Sequence, residues 1–83
     1  MNAISLCLAP LGKKYQIVEL RAEGRLQERL RGMGFGRGRL VEVVMDRKGK
    51  PLVVGFPGSG QRVACAREVA EHVMVRKWSE EAQ

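Results

Sequence analysis

The chain has 83 residues, and its 15 Lys and Arg against 9 Asp and Glu give it a formal net charge of +6. This length predicts a single small domain with a modest core. The apolar share of 45% is typical of a folded protein and excludes a disordered basic tail. One histidine (His72), one aspartate and no threonine leave few side chains for catalysis, so we expect no enzyme. The charge predicts an acidic partner: nucleic acid, an anionic membrane surface or an acidic protein.

The N-terminal segment has no targeting pattern. Its apolar run, residues 3–11, comes before Lys13 and Lys14, whereas a secretory signal carries its positive charge first. No stretch approaches the roughly 20 apolar residues of a membrane span. We therefore expect a cytoplasmic protein, in which Cys7 and Cys65 are reduced, packed thiols.

Five short strands are predicted between turns rich in glycine or proline. They span residues 15–20, 40–45, 51–56, 62–66 and 72–77, with one short helical turn at 67–71. Consecutive hairpins in so short a chain predict a mainly β protein, a small five-stranded barrel whose closure protects the strand edges. We expect the domain to cover residues 4–77 and a C-terminal tail to cover 78–83.

One helix is predicted after the first strand, over residues 25–33. Leu26, Leu30 and Met33 form a single apolar stripe at helical spacing, which is typical of a helix packed on a core. Gly34 and Phe35 then stand where a Schellman cap needs a left-handed residue and an apolar contact to Leu30.

The apolar and glycine positions follow one another in an order that resembles a known family. The most specific segment is Arg-Leu-Arg-Gly-Met-Gly-Phe-Gly-Arg-Gly at residues 29–38, and the resemblance covers roughly residues 4–76. Its structural positions are Leu26, Leu30, Gly34, Phe35, Gly38, Ala64 and Ala70. This order is similar to that of the ferrous iron transport protein A family, the FeoA domain.

The resemblance implies a five-stranded SH3-like barrel and a small cytosolic accessory or regulatory protein of bacterial ferrous iron uptake. It also implies a partner, the FeoB-type membrane permease with its cytosolic GTPase part, so we expect a location at the inner face of the cytoplasmic membrane. Matched charges and exposed aromatic rings would orient such docking. The predicted contact residues are Tyr15, Arg29, Met33, Arg37 and Arg39, with Trp78 as a second aromatic candidate.

Metal binding is a weaker hypothesis. Glu68 and His72 could both ligate Fe²⁺ or Zn²⁺ if the turn between them is helical, but two ligands are too few for a structural site. We therefore assign no cofactor, and a transition metal, Fe²⁺ or Zn²⁺, stays an alternative if a dimer supplies the further ligands. Two alternative functions remain open at this stage: a nucleic-acid-binding small barrel, and a free-standing metal-sensing domain related to the terminal domain of metal-dependent repressors.

Overall fold

The computed structural model describes residues 2–79, in which six strands, two α-helices and one 3₁₀ turn follow one another. The strands are β1 (Ile4–Ser5), β2 (Lys14–Leu20), β3 (Leu40–Met45), β4 (Leu52–Gly55), β5 (Arg62–Cys65) and β6 (Val73–Lys77). The helices are α1 (Gly24–Gly32) and α2 (Arg67–Ala70), and the 3₁₀ turn is Leu6–Leu8.

The strands form one antiparallel sheet in the order β1-β6-β2-β3-β4-β5. β1 and β5 are its two edges, yet the Cys7 thiol just after β1 donates to the carbonyl oxygen of Arg67, just after β5, at 3.0 Å. The sheet therefore curls far enough to bring the segments that follow its two edge strands into contact. The predicted mainly β class is confirmed.

The predicted number of five strands is wrong by one, because the N-terminal segment adds a sixth. Ile4 pairs with Val75 and Ser5 with Met74, which makes β1 an edge strand beside β6. A strand of two residues is too short to show the alternation from which strands are predicted. The other five strands lie where the sequence indicates them.

Alternation along the strands sends one set of side chains into a single core. On β2, Tyr15 and Ile17 are buried, and Gln16 and Val18, which alternate with them, are half-buried. The largest side chains that are almost fully inaccessible are Leu6, Ile17, Leu30, Phe35, Val41, Val43, Leu52, Val54, Cys65, Val73 and Val75. The core thus runs from the N-terminal segment through every strand to α1.

The end of α1 has the predicted Schellman geometry. Gly34 has a φ of +105°, and its N–H donates to the carbonyl of Arg31 at 3.0 Å. The Phe35 N–H donates to the carbonyl of Leu30 at 3.0 Å, and both side chains are completely buried. The cap thereby turns the chain sharply and places Phe35 in the core.

The predicted tail is described only in part. The Trp78 N–H donates to the carbonyl of Lys14 at 3.1 Å, so the chain is still attached to β2 at that point. Residues 80–83 lie outside the described residues. The domain limits of 4–77 stay a prediction.

Candidate functional site

The glycine-rich turn after α1 is fastened to β2. The Gly38 N–H donates to the carbonyl of Ile17 at 2.7 Å, and the Ile17 N–H donates to the carbonyl of Arg39 at 2.9 Å. Leu26 and Met33 are partly buried and pack against the core, so α1 is held at both of its ends. These contacts fix the position of the helix relative to β2.

An open groove of about 690 Å³ lies between β2 and α1. Its apolar lining comes from the N-terminal segment and β2. Its polar lining comes from β2, from α1 and from the loops that follow these two elements. The lining residues are Ala3, Val18, Glu19, Leu20, Arg21, Gln27, Arg31 and Arg37. We call this surface the arginine groove.

The arginine groove carries an excess of positive charge. Arg21 donates from Nε to Glu19 Oε1 at 3.2 Å, and both side chains are largely exposed. Within residues 2–79, neither Arg31 nor Arg37 takes part in an ion pair. Two guanidinium groups are therefore available to an acidic partner, next to apolar side chains of β2.

Arg37 and Arg39, both predicted contact residues, have different surroundings. Arg37 lines the arginine groove. Arg39 instead donates from Nη1 to the carbonyl oxygen of Gly34 at 2.9 Å, and its guanidinium lies 4.0 Å from the centre of the Phe56 ring. A cation over an aromatic face in a partly buried place contributes to stability, so Arg39 supports the turn that carries Arg37.

Tyr15 is not an exposed aromatic platform, and that part of the sequence interpretation is wrong. Its side chain is only 6% exposed, because it shares the inward face of β2 with Ile17. Phe35 and Phe56 are buried as well, and their ring centres lie 5.7 Å apart. Trp78, which is half-buried, is the aromatic side chain that stays accessible.

The helix places Arg31 in the groove, whereas the predicted contact residue Arg29 lies outside it. At 100° per residue, Gln27 and Arg31 share one flank of α1 and line the groove, whereas Arg29 falls on the other flank. There, Arg29 lies close enough to Cys65 for its charge to act on that thiol. Of the predicted contact residues, Arg37 lines the groove and Arg29 does not. The groove residues Arg21, Gln27 and Arg31 were not predicted. A helical projection would have grouped Gln27 with Arg31.

Cys7 and Cys65 are free thiols, as predicted. Burial raises the pKa of Cys65 from 9.0 to about 11, against a smaller opposing effect of Arg29. Burial also raises the pKa of Cys7, and a hydrogen bond with Ser5 offsets this rise only in part. Both thiols are therefore neutral near pH 7, which leaves them poor nucleophiles.

Glu68 and His72 offer two ligands at most to a metal ion, so metal binding there stays a prediction. The His72 ring donates from Nδ1 to the carbonyl oxygen of Arg21 at 2.9 Å, and Glu68 is an exposed residue of α2. In the part of the chain that the structure describes, no three His, Cys, Asp or Glu side chains are grouped to hold a metal. His72 instead ties the end of β2 to the start of β6.

The fold is shared with several solved structures. A crystal structure of an iron uptake regulatory protein, FeoA, covers 94% of this chain and 100% of its own at 24% identity, with a TM-score of 0.81. FeoA of Stenotrophomonas maltophilia, crystallised with zinc and described as a procaryotic SH3 domain protein, covers 88% and 89% at 28% identity, with a TM-score of 0.69. A manganese-dependent transcriptional repressor shares only the fold, at 16% identity, with a TM-score of 0.82 over 94% of this chain and 38% of its own. The predicted SH3-like class is confirmed.

No curated protein matches the sequence. Among residues 2–79, no helix has both the length and the apolar character needed to cross a membrane. The model of the FeoA domain matches residues 4–77, which is nearly the whole chain. The chain therefore belongs to the FeoA domain family, which is linked to ferrous iron transport.

Proposed function

We propose that the chain is a small cytoplasmic accessory protein of bacterial ferrous iron uptake, without catalytic activity of its own. It docks on the cytosolic GTPase part of a FeoB-type permease. The arginine groove is the observation that carries this proposal, because it combines apolar side chains of β2 with Arg31 and Arg37, which form no ion pair among residues 2–79. This combination suits an acidic amphipathic segment, whose apolar side would rest on Val18 and Leu20.

The size of the groove implies reversible docking. A groove beside one short helix offers far less than the roughly 800 Å² per partner of a standard stable interface. Exposed arginines mainly speed and orient the encounter, so binding should weaken as salt rises. A regulatory subunit that associates and dissociates fits both features.

Titration of the permease's purified cytosolic part with the full chain tests the proposal. We expect a dissociation constant in the micromolar range at about 0.1 M salt. Arg31→Glu should weaken binding about tenfold or more, because it places a carboxylate where an acidic segment would lie. Arg25→Glu is the matched control: Arg25 is exposed, lies on the same helix and does not line the groove.

Two results would contradict the proposal. One is the absence of binding at about 100 μM with a chain that melts cooperatively. The other is an equal loss in Arg31→Glu and Arg25→Glu, because a general charge effect would then explain the interaction without the groove.

The two alternative functions gain little support. Single-stranded nucleic acid needs a row of exposed aromatic rings, and three of the four rings in this chain, Tyr15, Phe35 and Phe56, are buried. Metal sensing needs converging ligands, and Glu68 and His72 have no third ligand grouped with them in residues 2–79.

A further inference from the structure

One end of the sheet collects the exposed apolar side chains. At this end β2 begins, while β3 and β6 finish; we call it the hairpin end. Among the described residues, the large apolar side chains that are exposed are Leu8 (71%), Leu11 (54%) and Met45 (42%). Met45 is the last residue of β3, and Leu11 is brought beside β3 by the hydrogen bond from the Gly12 N–H to the carbonyl of Val43, at 3.1 Å.

Arg67 connects Leu8 to the same end. Its Nε donates to the carbonyl of Lys50 at 2.9 Å and its Nη2 to the carbonyl of Arg47 at 2.7 Å, which fastens the turn between β3 and β4. The Arg67 carbonyl in turn accepts from the Cys7 thiol, next to Leu8. Arg67 therefore links the segment that carries Leu8 to this basic turn.

Every lysine of the sequence is at the hairpin end. Together with Arg47 they make six exposed cations: Lys13, Lys14, Arg47, Lys48, Lys50 and Lys77. The described carboxylates nearby are Glu42, opposite Lys14, then Asp46, which is paired with Arg67, and Glu68 of α2. Glu80 and Glu81 follow in the sequence, outside the described residues. The positive charge of this end therefore exceeds its negative charge.

Trp78 completes the surface. With Lys13, Lys14 and Lys77 it lines a shallow hollow of about 340 Å³, and its backbone N–H donates to the carbonyl of Lys14. Tryptophan and lysine are the side chains that prefer the boundary between water and lipid, the first for its amphipathic ring and the second for its long stem.

We propose that the hairpin end binds the surface of an anionic phospholipid bilayer. Leu8 and Leu11 enter the boundary between headgroups and acyl chains, Trp78 lies at headgroup level, and the surrounding lysines contact lipid phosphates. A bilayer fits better than a protein partner, because these apolar side chains project from turns instead of lining a groove. The flexible point charges of the five lysines also suit a fluid layer of phosphates, whereas three arginines, Arg21, Arg31 and Arg37, line the arginine groove.

Flotation of the full chain with lipid vesicles tests this inference. At about 0.1 M salt we expect partition into vesicles of phosphatidylcholine with about 30% phosphatidylglycerol and little into phosphatidylcholine alone. Trp78 is the single tryptophan of the chain, so its fluorescence should shift to shorter wavelength on binding.

Variants locate the contact. Leu8→Ser with Leu11→Ser should reduce partition about tenfold or more, and both side chains are exposed, so folding should survive. Lys13→Gln with Lys48→Gln should reduce it about fivefold for each charge. Arg25→Gln with Arg62→Gln removes the same charge from exposed positions away from the hairpin end and should change partition less than about twofold.

Three outcomes would overturn the inference: no partition of the unaltered chain into anionic vesicles, unchanged partition of the leucine variant, or an equal loss in the arginine control. The inference does not depend on permease docking. Arg31→Glu should still bind vesicles, and the leucine variant should still bind the permease's soluble cytosolic part, so the failure of one proposal is distinguishable from the failure of the other.

Discussion

Replacing Gly34 with alanine should destabilise the fold by about 3 kcal/mol. At a φ of +105° an L-residue is strained by about 1–2 kcal/mol. A Cβ there would also lie 3.1 Å from Cζ of Phe56 and 2.9 Å from Nη1 of Arg39. The Phe56 ring is buried against Phe35 and cannot move freely, and such overpacking costs about 1–3 kcal/mol. In a domain of this size the melting temperature should fall by about 12–24 °C.

Two neighbouring glycines separate the cost of backbone strain from the cost of overpacking. Gly38→Ala has the left-handed φ, at +88°, but an open space around its Cβ, so it should lose only about 1–2 kcal/mol. Gly36→Ala has neither problem and should stay within about 0.5 kcal/mol. Thermal and urea unfolding of the three variants measure these differences. The packing argument fails if Gly34→Ala loses no more than Gly38→Ala, and the strain argument fails if Gly36→Ala loses as much as Gly38→Ala.

Three further predictions concern the core and the basic turn. Arg67→Ala should lower the free energy of unfolding by about 1–2 kcal/mol, because its partly exposed hydrogen bonds to the turn are lost, and the exposed Arg62→Ala should leave it nearly unchanged. Leu30→Ala should cost about 2–5 kcal/mol in urea unfolding, and the half-buried Leu26→Ala clearly less. Cys65 keeps its proton in the fold up to a pKa of about 11, whereas the unfolded thiol loses it near 9.0. Stability should therefore fall from pH 9 to 11 by about 2 kcal/mol more than in Cys65→Ala, and parallel pH profiles would refute this.

Local signals predicted most of the fold. The end of α1 could be predicted because Gly34 and Phe35 are the two residue types that a Schellman cap requires. The strands from β2 onward could be predicted because their apolar residues lie between turn residues. β1 could not be predicted, because Ile4 and Ser5 become a strand only through pairing with β6, a contact distant in sequence.

The candidate site was predicted less well. The sequence indicated an arginine-rich face but not which arginines share a surface, since that depends on the rotation of α1 against β2. Arg39 is a predicted contact residue, yet its side chain is engaged with Phe56 and Gly34, and the predicted Tyr15 faces the core. The clustering of lysines with Leu8 and Leu11 needs the curled sheet, which brings together residues from both halves of the chain.

Amide chemical shifts of the isotope-labelled chain, followed as the unlabelled cytosolic part of the permease is added, test the central proposal most directly. Docking through the arginine groove predicts that the largest changes fall on Val18, Leu20, Gln27, Arg31 and Arg37. The amides of the hairpin end, such as Lys48 and Lys50, should change little. Changes centred on the hairpin end, or none at all at saturating concentration, would contradict the proposal.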